Sequence, residues 1–431
     1  MPIATPFSRP LYVMLKPAGA RCNLDCSYCY YKEKAELYPS GGDTPAAQPP
    51  ILSDALLETF VKEYIAAQDV PQVLFTWHGG EPLLRPLSFY RKALELQQQY
   101  ARGRQVDNVI QTNGTLLSEE WCAFFRDNNF LVGISIDGPQ PLHDACRRTA
   151  TGQPSFQRVL RGIDLLNRYG VEWNAMAVVN SLNAERPIDF YRFFRDIGCH
   201  YIQFAPVVER RTPLLPPPLG LMAVEEQGNR TSCTGKGTPA GCAFFSDADA
   251  CRSQLTDESV SPQQWGDFLC AVFSEWVKRD VGKYFVQLFD ATLANWCGEP
   301  PGVCTMSAEC GNVGVMEHNG DVYSCDHFVF PPFRLGNIRR QTVGELMYSR
   351  RQQKFARMKR HMLPQQCREC RFLFACHGEC PKNRLLTDCY GQPGLNYLCS
   401  GFRRFFEHSA PYMDRMRWLL SQGLPPAQLS Q

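Results

Sequence analysis

Cys22, Cys26 and Cys29 stand in the run CNLDCSYCY, a C-x3-C-x2-C pattern that puts three thiols in one short loop. No fourth cysteine or histidine lies close enough along the chain to complete a local tetrahedral zinc site. Three ligands leave one metal position open. A cubane 4Fe-4S cluster normally takes four thiolates, so this loop would present one iron to a small chelating molecule. A zinc site completed from afar is the plainer alternative. A second group comprises Cys304, Cys310 and Cys325, then Cys367, Cys370, Cys376 and Cys380, and finally Cys399. Its eight thiols suffice for two four-ligand sites. As zinc ribbons, where C-x2-C pairs are common, they would be structural; as iron-sulfur clusters they would conduct electrons. The incomplete loop at Cys22 to Cys29 tips the choice toward iron.

Periodicity shows the elements that must position these thiols. Leu11 to Leu15 reads as a strand and Ser53 to Ala67 as a helix, with Ser53 as N-cap. Strand-helix units follow: Val73 to Trp77 with a helix from Leu87, Asn108 to Thr112 with Ser118 to Asn128, and Leu131 to Ile136 with Phe156 to Tyr169. Trp173 to Val179 pairs with Asp189 to Ile197, and Tyr201 to Val208 with a delayed helix whose capping signals are Ser261, Pro262 and Gln264. Six such units predict an α/β fold, a partial (β/α)6 barrel with ligands gathered at the C-terminal strand ends. The barrel should occupy residues 1–208, with an insertion at 209–260 and its closing helices at 261–299. A cysteine-rich domain at 300–405, with weak apolar periodicity, is expected to be held by something other than a hydrophobic core. A last helix and tail should fill 406–431, the helix ending near Gly423.

The first cysteine loop resembles the signature of the radical SAM enzymes, Tyr28 matching the aromatic of C-x3-C-x-aromatic-C. In that family S-adenosylmethionine chelates the open iron, and one electron cleaves it to a 5'-deoxyadenosyl radical. Gly79-Gly80-Glu81-Pro82 resembles the segment that contacts the methionine amino group, so Gly79, Gly80 and Glu81 are implied cofactor contacts. Gln111-Thr112-Asn113-Gly114 and Ser135-Ile136-Asp137-Gly138-Pro139 end the third and fourth strands. The resemblance implies that Ser135 and Arg147 touch the ribose and carboxylate of S-adenosylmethionine.

The later cysteines resemble the SPASM domain, and nearly the whole chain resembles the anaerobic sulfatase-maturating enzymes. That resemblance implies three 4Fe-4S clusters. Cys304, Cys310, Cys325 and Cys380 would hold one auxiliary cluster, and Cys367, Cys370, Cys376 and Cys399 the other. Both would be fully ligated by protein, which points to electron transfer. Asp326, beside Cys325, matches the base that deprotonates the substrate residue, with His318 and His327 as competitors. Tyr31, His78, Gln111 and Asn113 lie where the family binds peptide; His78 departs from the glutamine usual before GGEP. The implied reaction converts a Cys or Ser in a C/S-x-P-x-R type segment of a sulfatase to Cα-formylglycine (3-oxoalanine). The implied partners are an unfolded or nascent sulfatase chain and an electron donor such as flavodoxin or ferredoxin.

Composition agrees with an enzyme of this kind. Across 431 residues, 45 Lys and Arg oppose 43 Asp and Glu, leaving a net charge of +2 and no field for nucleic acid or membrane. A hydrophobic content of 44% supports a large core. No stretch approaches the ~18 apolar residues of a membrane span, and Pro2, Pro6 and Pro10 interrupt the start where an export signal needs an apolar run. A cytoplasmic location follows. In a reducing compartment 20 cysteines mean metal or redox chemistry. Cys233, Cys242 and Cys251 read as free thiols in a flexible insertion; Cys122, Cys146, Cys199, Cys270, Cys297 and Cys389 as scattered, in part core, residues. Two other readings share these features: a SPASM enzyme that crosslinks a ribosomal peptide, and a zinc-stapled binding module without catalysis.

Overall fold

The computed structural model describes residues 10–37, 51–211 and 244–430. Its strands are β1 (Tyr12–Leu15), β2 (Gln72–Trp77), β3 (Gln105–Thr112), β4 (Leu131–Ser135), β5 (Trp173–Val179), β6 (Tyr201–Pro206), β7 (Phe285–Val286), β8 (Val313–Met316), β9 (Asp321–Tyr323), β10 (Arg334–Asn337), β11 (Arg384–Thr387) and β12 (Pro393–Asn396). The chain divides into two compact units. The first takes residues 1–134, 147–173 and 311–356; the second takes 135–146, 174–310 and 357–431.

In the first unit β1, β2, β3 and β4 lie side by side and parallel, with Leu15 opposite Trp77 and Trp77 opposite Ile110. Parallel neighbours need a crossover, and a helix supplies it each time. Ser53 caps the helix Asp54–Ala66 by accepting from the Leu56 amide, as its sequence predicts. Alternate strand residues Val73, Phe75 and Trp77 are buried. Phe75 meets Tyr64 at 5.1 Å between ring centroids, and Trp77 meets Tyr90 at 5.4 Å. Because side chains alternate along a strand, Met14, Thr76 and Gln111 point to the other face, where chemistry can be placed.

The cysteine-rich region does not stand apart from this sheet. β8 pairs parallel with β1, Tyr12 opposite Val313 and Leu15 opposite Met316. β9 and β10 then continue antiparallel. Nor does that region lack an apolar core, contrary to its weak periodicity. Phe328 lies 4.8 Å from Phe333 and 5.2 Å from Phe355, all three buried. These aromatics come from turns and one helix, so no regular period announces them.

In the second unit β5, β6 and β7 are parallel. The helix Pro262–Arg279 carries the predicted capping box between Ser261 and Gln264. It packs on a terminal helix that begins at Cys399, not after Phe406, and runs to Ser421 through Pro411. Gly266 and Gly401 set the approach, since a Cβ on Gly401 would overlap the Pro262 carbonyl. Trp265 then meets Phe402 at 5.8 Å. Within the described part of the expected insertion, the helix Ala248–Arg252 buries Cys251 completely, so that thiol belongs to the core and not to a flexible loop. Cys233 and Cys242 lie outside the described residues. No described helix is long and apolar enough to cross a membrane.

Candidate active site

The first cysteine loop follows β1 and is stitched to the loop after β2. The Gly80 amide donates to Gly19 O at 2.9 Å and the Glu81 amide to Arg21 O at 2.8 Å. A Cβ on Gly80 would overlap the Arg21 carbonyl, and Gly79 sits at φ +136° with its Cβ position 2.9 Å from Gly19 O. Both glycines are therefore demanded by backbone approaching backbone. Glu81 is fully buried and serves as an internal brace. Its carboxylate accepts from the amides of Leu83 (2.9 Å) and Asn113 (2.8 Å) and from the Thr112 hydroxyl (2.7 Å). Burial pushes this carboxyl up to about 7 despite those donors.

Asn113, read from sequence as a peptide contact, reaches the cysteine loop instead. Its Nδ2 lies 2.8 Å from Asn23 Oδ1 and 3.7 Å from Cys22 Sγ. The Leu24 amide also donates to Cys22 Sγ, at 3.4 Å. Burial pushes the Cys22 thiol up to about 11, and the two N–H groups aimed at its sulfur act against that rise. Cys29 N–H closes the loop onto Cys26 O at 3.2 Å, and Asp25 N–H donates to Arg148 O at 2.6 Å. Arg147 places its guanidinium 5.5 Å from the Tyr28 ring centroid, so two residues expected to contact the cofactor lie together. Ser135 belongs to the second unit. The turn after it is held by Asp137, whose Oδ1 accepts from the Val178 amide at 2.8 Å.

On the same side of the first unit, Asp326 begins a short helical turn after β9. Lys16, the residue after β1, is fully buried and places Nζ 2.5 Å from Asp326 Oδ1. That ammonium also lies 3.4 Å from His78 Nδ1 and 4.0 Å from the centroid of Tyr31. Tyr30 donates its hydroxyl to Asp326 Oδ2 and stacks 5.1 Å from His327. Burial would raise the Asp326 carboxyl, but the Lys16 charge, with His78 and His327 beside it, holds it well below the usual carboxylate range. Burial, reinforced by Lys16, pushes His78 down to about 3, so its ring is neutral and Nδ1 accepts from the Gly79 amide at 2.7 Å.

Tyr31 turns away from Asp326 and donates to Glu317, itself only 1% exposed. His318 Nδ1 stands 3.9 Å from the same carboxylate. The structure thus brings Asp326 and His78 together around Lys16, with Tyr30 on Asp326 and Glu317 on Tyr31, three residues that the sequence reading does not single out. One signal was available for Lys16: a lysine directly after a barrel strand, at the end where such folds place function.

The thiols of the second unit fall into two neighbourhoods. Cys304, Cys310 and Cys380 influence one another, as do Cys367, Cys370, Cys376 and Cys399. Burial pushes the Cys367 thiol up to about 11. A buried thiol of this kind ionises only against positive charge. Two fully buried cations, Lys359 and Arg384, supply part of it. Among the described residues no group of three or more His, Cys, Asp or Glu side chains is gathered to hold a single metal ion.

Comparison with known proteins agrees with this reading of the fold. The radical SAM superfamily model matches residues 17–194, and the SPASM iron-sulfur cluster-binding domain model matches 309–371. The chain is 58% identical over 424 residues to the serine-type anaerobic sulfatase-maturating enzyme of Bacteroides thetaiotaomicron, covering 98% of this chain and 95% of that one. It is 29% identical to the cysteine-type enzyme of Clostridium perfringens, covering 93% and 97%. The solved structure of native anSMEcpe with bound AdoMet and the Cp18Cys peptide superposes with a TM-score of 0.77 at 28% identity, over 96% of this chain and 100% of that one.

Proposed function

The chain belongs to the anaerobic sulfatase-maturating enzymes, radical SAM proteins with a SPASM domain, and from that premise we propose that it oxidises a serine of a sulfatase to Cα-formylglycine. The observation that carries the chemistry is Asp326: a carboxylate kept ionised by a buried ammonium, one residue from Cys325. The choice of serine over cysteine is supported by the 58% identity to a serine-type enzyme against 29% to a cysteine-type one.

Cys22, Cys26 and Cys29 would hold the cluster that binds S-adenosylmethionine, with Tyr28, Gly79, Gly80, Glu81, Ser135 and Arg147 around the cofactor. Cys304, Cys310, Cys325 and Cys380 would hold one auxiliary cluster, and Cys367, Cys370, Cys376 and Cys399 the other. When bound, these groups supply a hydrogen-abstracting carbon radical and a sink for the remaining electron. Asp326 takes the hydroxyl proton. Both its oxygens are occupied at rest, Oδ1 by Lys16 and Oδ2 by Tyr30. A serine hydroxyl offers the same O–H donor as Tyr30, so the substrate replaces the Tyr30 hydroxyl at Oδ2 while Lys16 stays and stabilises the charge. The glycines at 79 and 80 and the Glu81 brace keep the cofactor loop rigid, and Gln111, His78 and Tyr31 line the peptide path. The peptide is met before the sulfatase folds, in the cytoplasm, with a flavodoxin or ferredoxin as donor.

Anaerobic incubation of the reconstituted protein with reductant, S-adenosylmethionine and matched serine and cysteine peptides tests this. Aldehyde should form faster on the serine peptide and vanish with Asp326→Asn. Cofactor cleavage without peptide aldehyde, or a purified protein holding zinc and no iron, would overturn it.

A further inference from the structure

Arg384 opens β11 and is completely buried. Its guanidinium gives every hydrogen bond to backbone: Nε to Gly378 O at 3.1 Å, Nη1 to Lys359 O at 2.7 Å, and Nη2 to His377 O at 3.1 Å and Glu379 O at 3.5 Å. Among the described residues no carboxylate hydrogen-bonds to it, although the buried Glu379 carboxyl feels its charge. A guanidinium is always charged, and burying a charge without compensation is strongly unfavourable. Burial pushes the Glu379 carboxyl up, which weakens it as a counter-charge, so the interior calls for further negative charge. The groups that bear on Arg384 are thiols of both neighbourhoods: Cys367 and Cys376 from one, Cys380 and Cys310 from the other.

The carbonyls that Arg384 grips belong to the link His377-Gly378-Glu379, whose flanking residues, Cys376 and Cys380, give one thiol to each neighbourhood. All three link residues adopt left-handed backbone, at φ 49°, 72° and 51°. For His377 and Glu379 that conformation is unfavourable, and a Cβ on Gly378 would overlap Leu363 and the Arg384 guanidinium. The fourth acceptor, Lys359 O, leads onward: Lys359 Nζ donates to Cys304 O and Thr305 O, each at 2.7 Å. The groups that bear most on Lys359 are Cys310, Glu379, Cys380 and Cys304.

We infer that Arg384 is a positioning residue shared by the two auxiliary clusters, clamping the link that joins them and raising the reduction potential of both, while Lys359 acts on the Cys304, Cys310 and Cys380 side alone. The inference rests on the cluster assignment proposed above. Potentials of such clusters respond to nearby charge and hydrogen bonds, and a fixed cation favours the reduced form because that form is one charge more negative.

The test is an EPR-monitored redox titration of the full-length reconstituted protein with Cys22, Cys26 and Cys29 all replaced by Ala, so that only auxiliary signals remain. Arg384→Met should lower both potentials by at least a tenfold change in the reduction equilibrium, about 59 mV for one electron. Lys359→Met should lower only one. Arg384→Lys, which keeps charge without the fork, should stay near the parent. Unmoved potentials in Arg384→Met at full iron content, an equal shift in Arg384→Lys, or a shift of both potentials in Lys359→Met each overturn the inference. Should Arg384→Met take up no iron, the Lys359→Met result decides alone. Absence of iron from the parent protein, by contrast, sinks the cluster assignment itself.

Discussion

Replacing Lys16 by methionine tests whether the held-down proton affinity of Asp326 matters to the reaction. Lys16 is fully buried, the Asp326 side chain is 14% exposed, and the two groups stand 2.5 Å apart. Burial is the largest influence on this carboxyl and raises it; the Lys16 charge is the largest opposing one. Methionine preserves much of the stem and removes the charge, so burial dominates. A fully buried carboxyl rises by roughly 3 to 5 pH units above its ordinary value of about 3.9. The Asp326 side chain keeps 14% exposure, which discounts that rise, so the variant's carboxyl moves up from its held-down position toward the working pH range. On the acid side of that titration each pH unit leaves about tenfold fewer ionised carboxyls, so aldehyde formation should fall roughly tenfold per pH unit on a new acid limb. The parent enzyme should show no acid limb there, because its carboxyl titrates far lower. The assay is peptide aldehyde by mass spectrometry across pH, divided by 5'-deoxyadenosine released in the same sample, which removes effects on cofactor cleavage. Loss of one partner from a buried pair should also cost about 3 to 5 kcal/mol of stability. A Lys16→Met protein with full iron content and the parent's pH profile refutes the reasoning.

Two further substitutions probe the scaffold. Gly80→Ala places a methyl against the Arg21 carbonyl and should displace the first cysteine loop; iron analysis should fall from about twelve per chain to about eight, with both auxiliary signals intact. His78→Gln preserves an acceptor for the Gly79 amide and Lys16 and should change stability by less than about 1 kcal/mol, whereas His78→Leu strands both donors and should cost about 1 to 3 kcal/mol, as read by anaerobic denaturation.

Most of the parallel α/β framework was legible in the sequence because its signals are local. Ser53 and Ser261 cap the helices they were expected to cap, and the strands up to Tyr201 begin within a few residues of their apolar runs. The terminal helix was read too short because it starts on Cys399 and contains Pro411, which obscure its period. The ordered helix around Cys251 was read as loop because only five residues form it, too few for periodicity to register.

The site divides along the same line, between what is local and what is long-range. Cysteine spacing and GGEP are contiguous, so their chemistry shows in the string. Lys16 reads as an ordinary charge ending a strand until β8 pairs with β1 and a residue 310 positions later in the chain meets its ammonium. Tyr30 and Tyr31 are indistinguishable by composition. Which one faces Asp326 and which faces Glu317 is decided by the direction of the loop after Cys29, and that direction is set by strands at the far end of the chain. The charge that holds down the Asp326 carboxyl is therefore a product of the pairing between the first strand and the cysteine-rich region. A substitution that weakens that pairing, such as a proline at Val13, should raise the Asp326 carboxyl from a position outside the site.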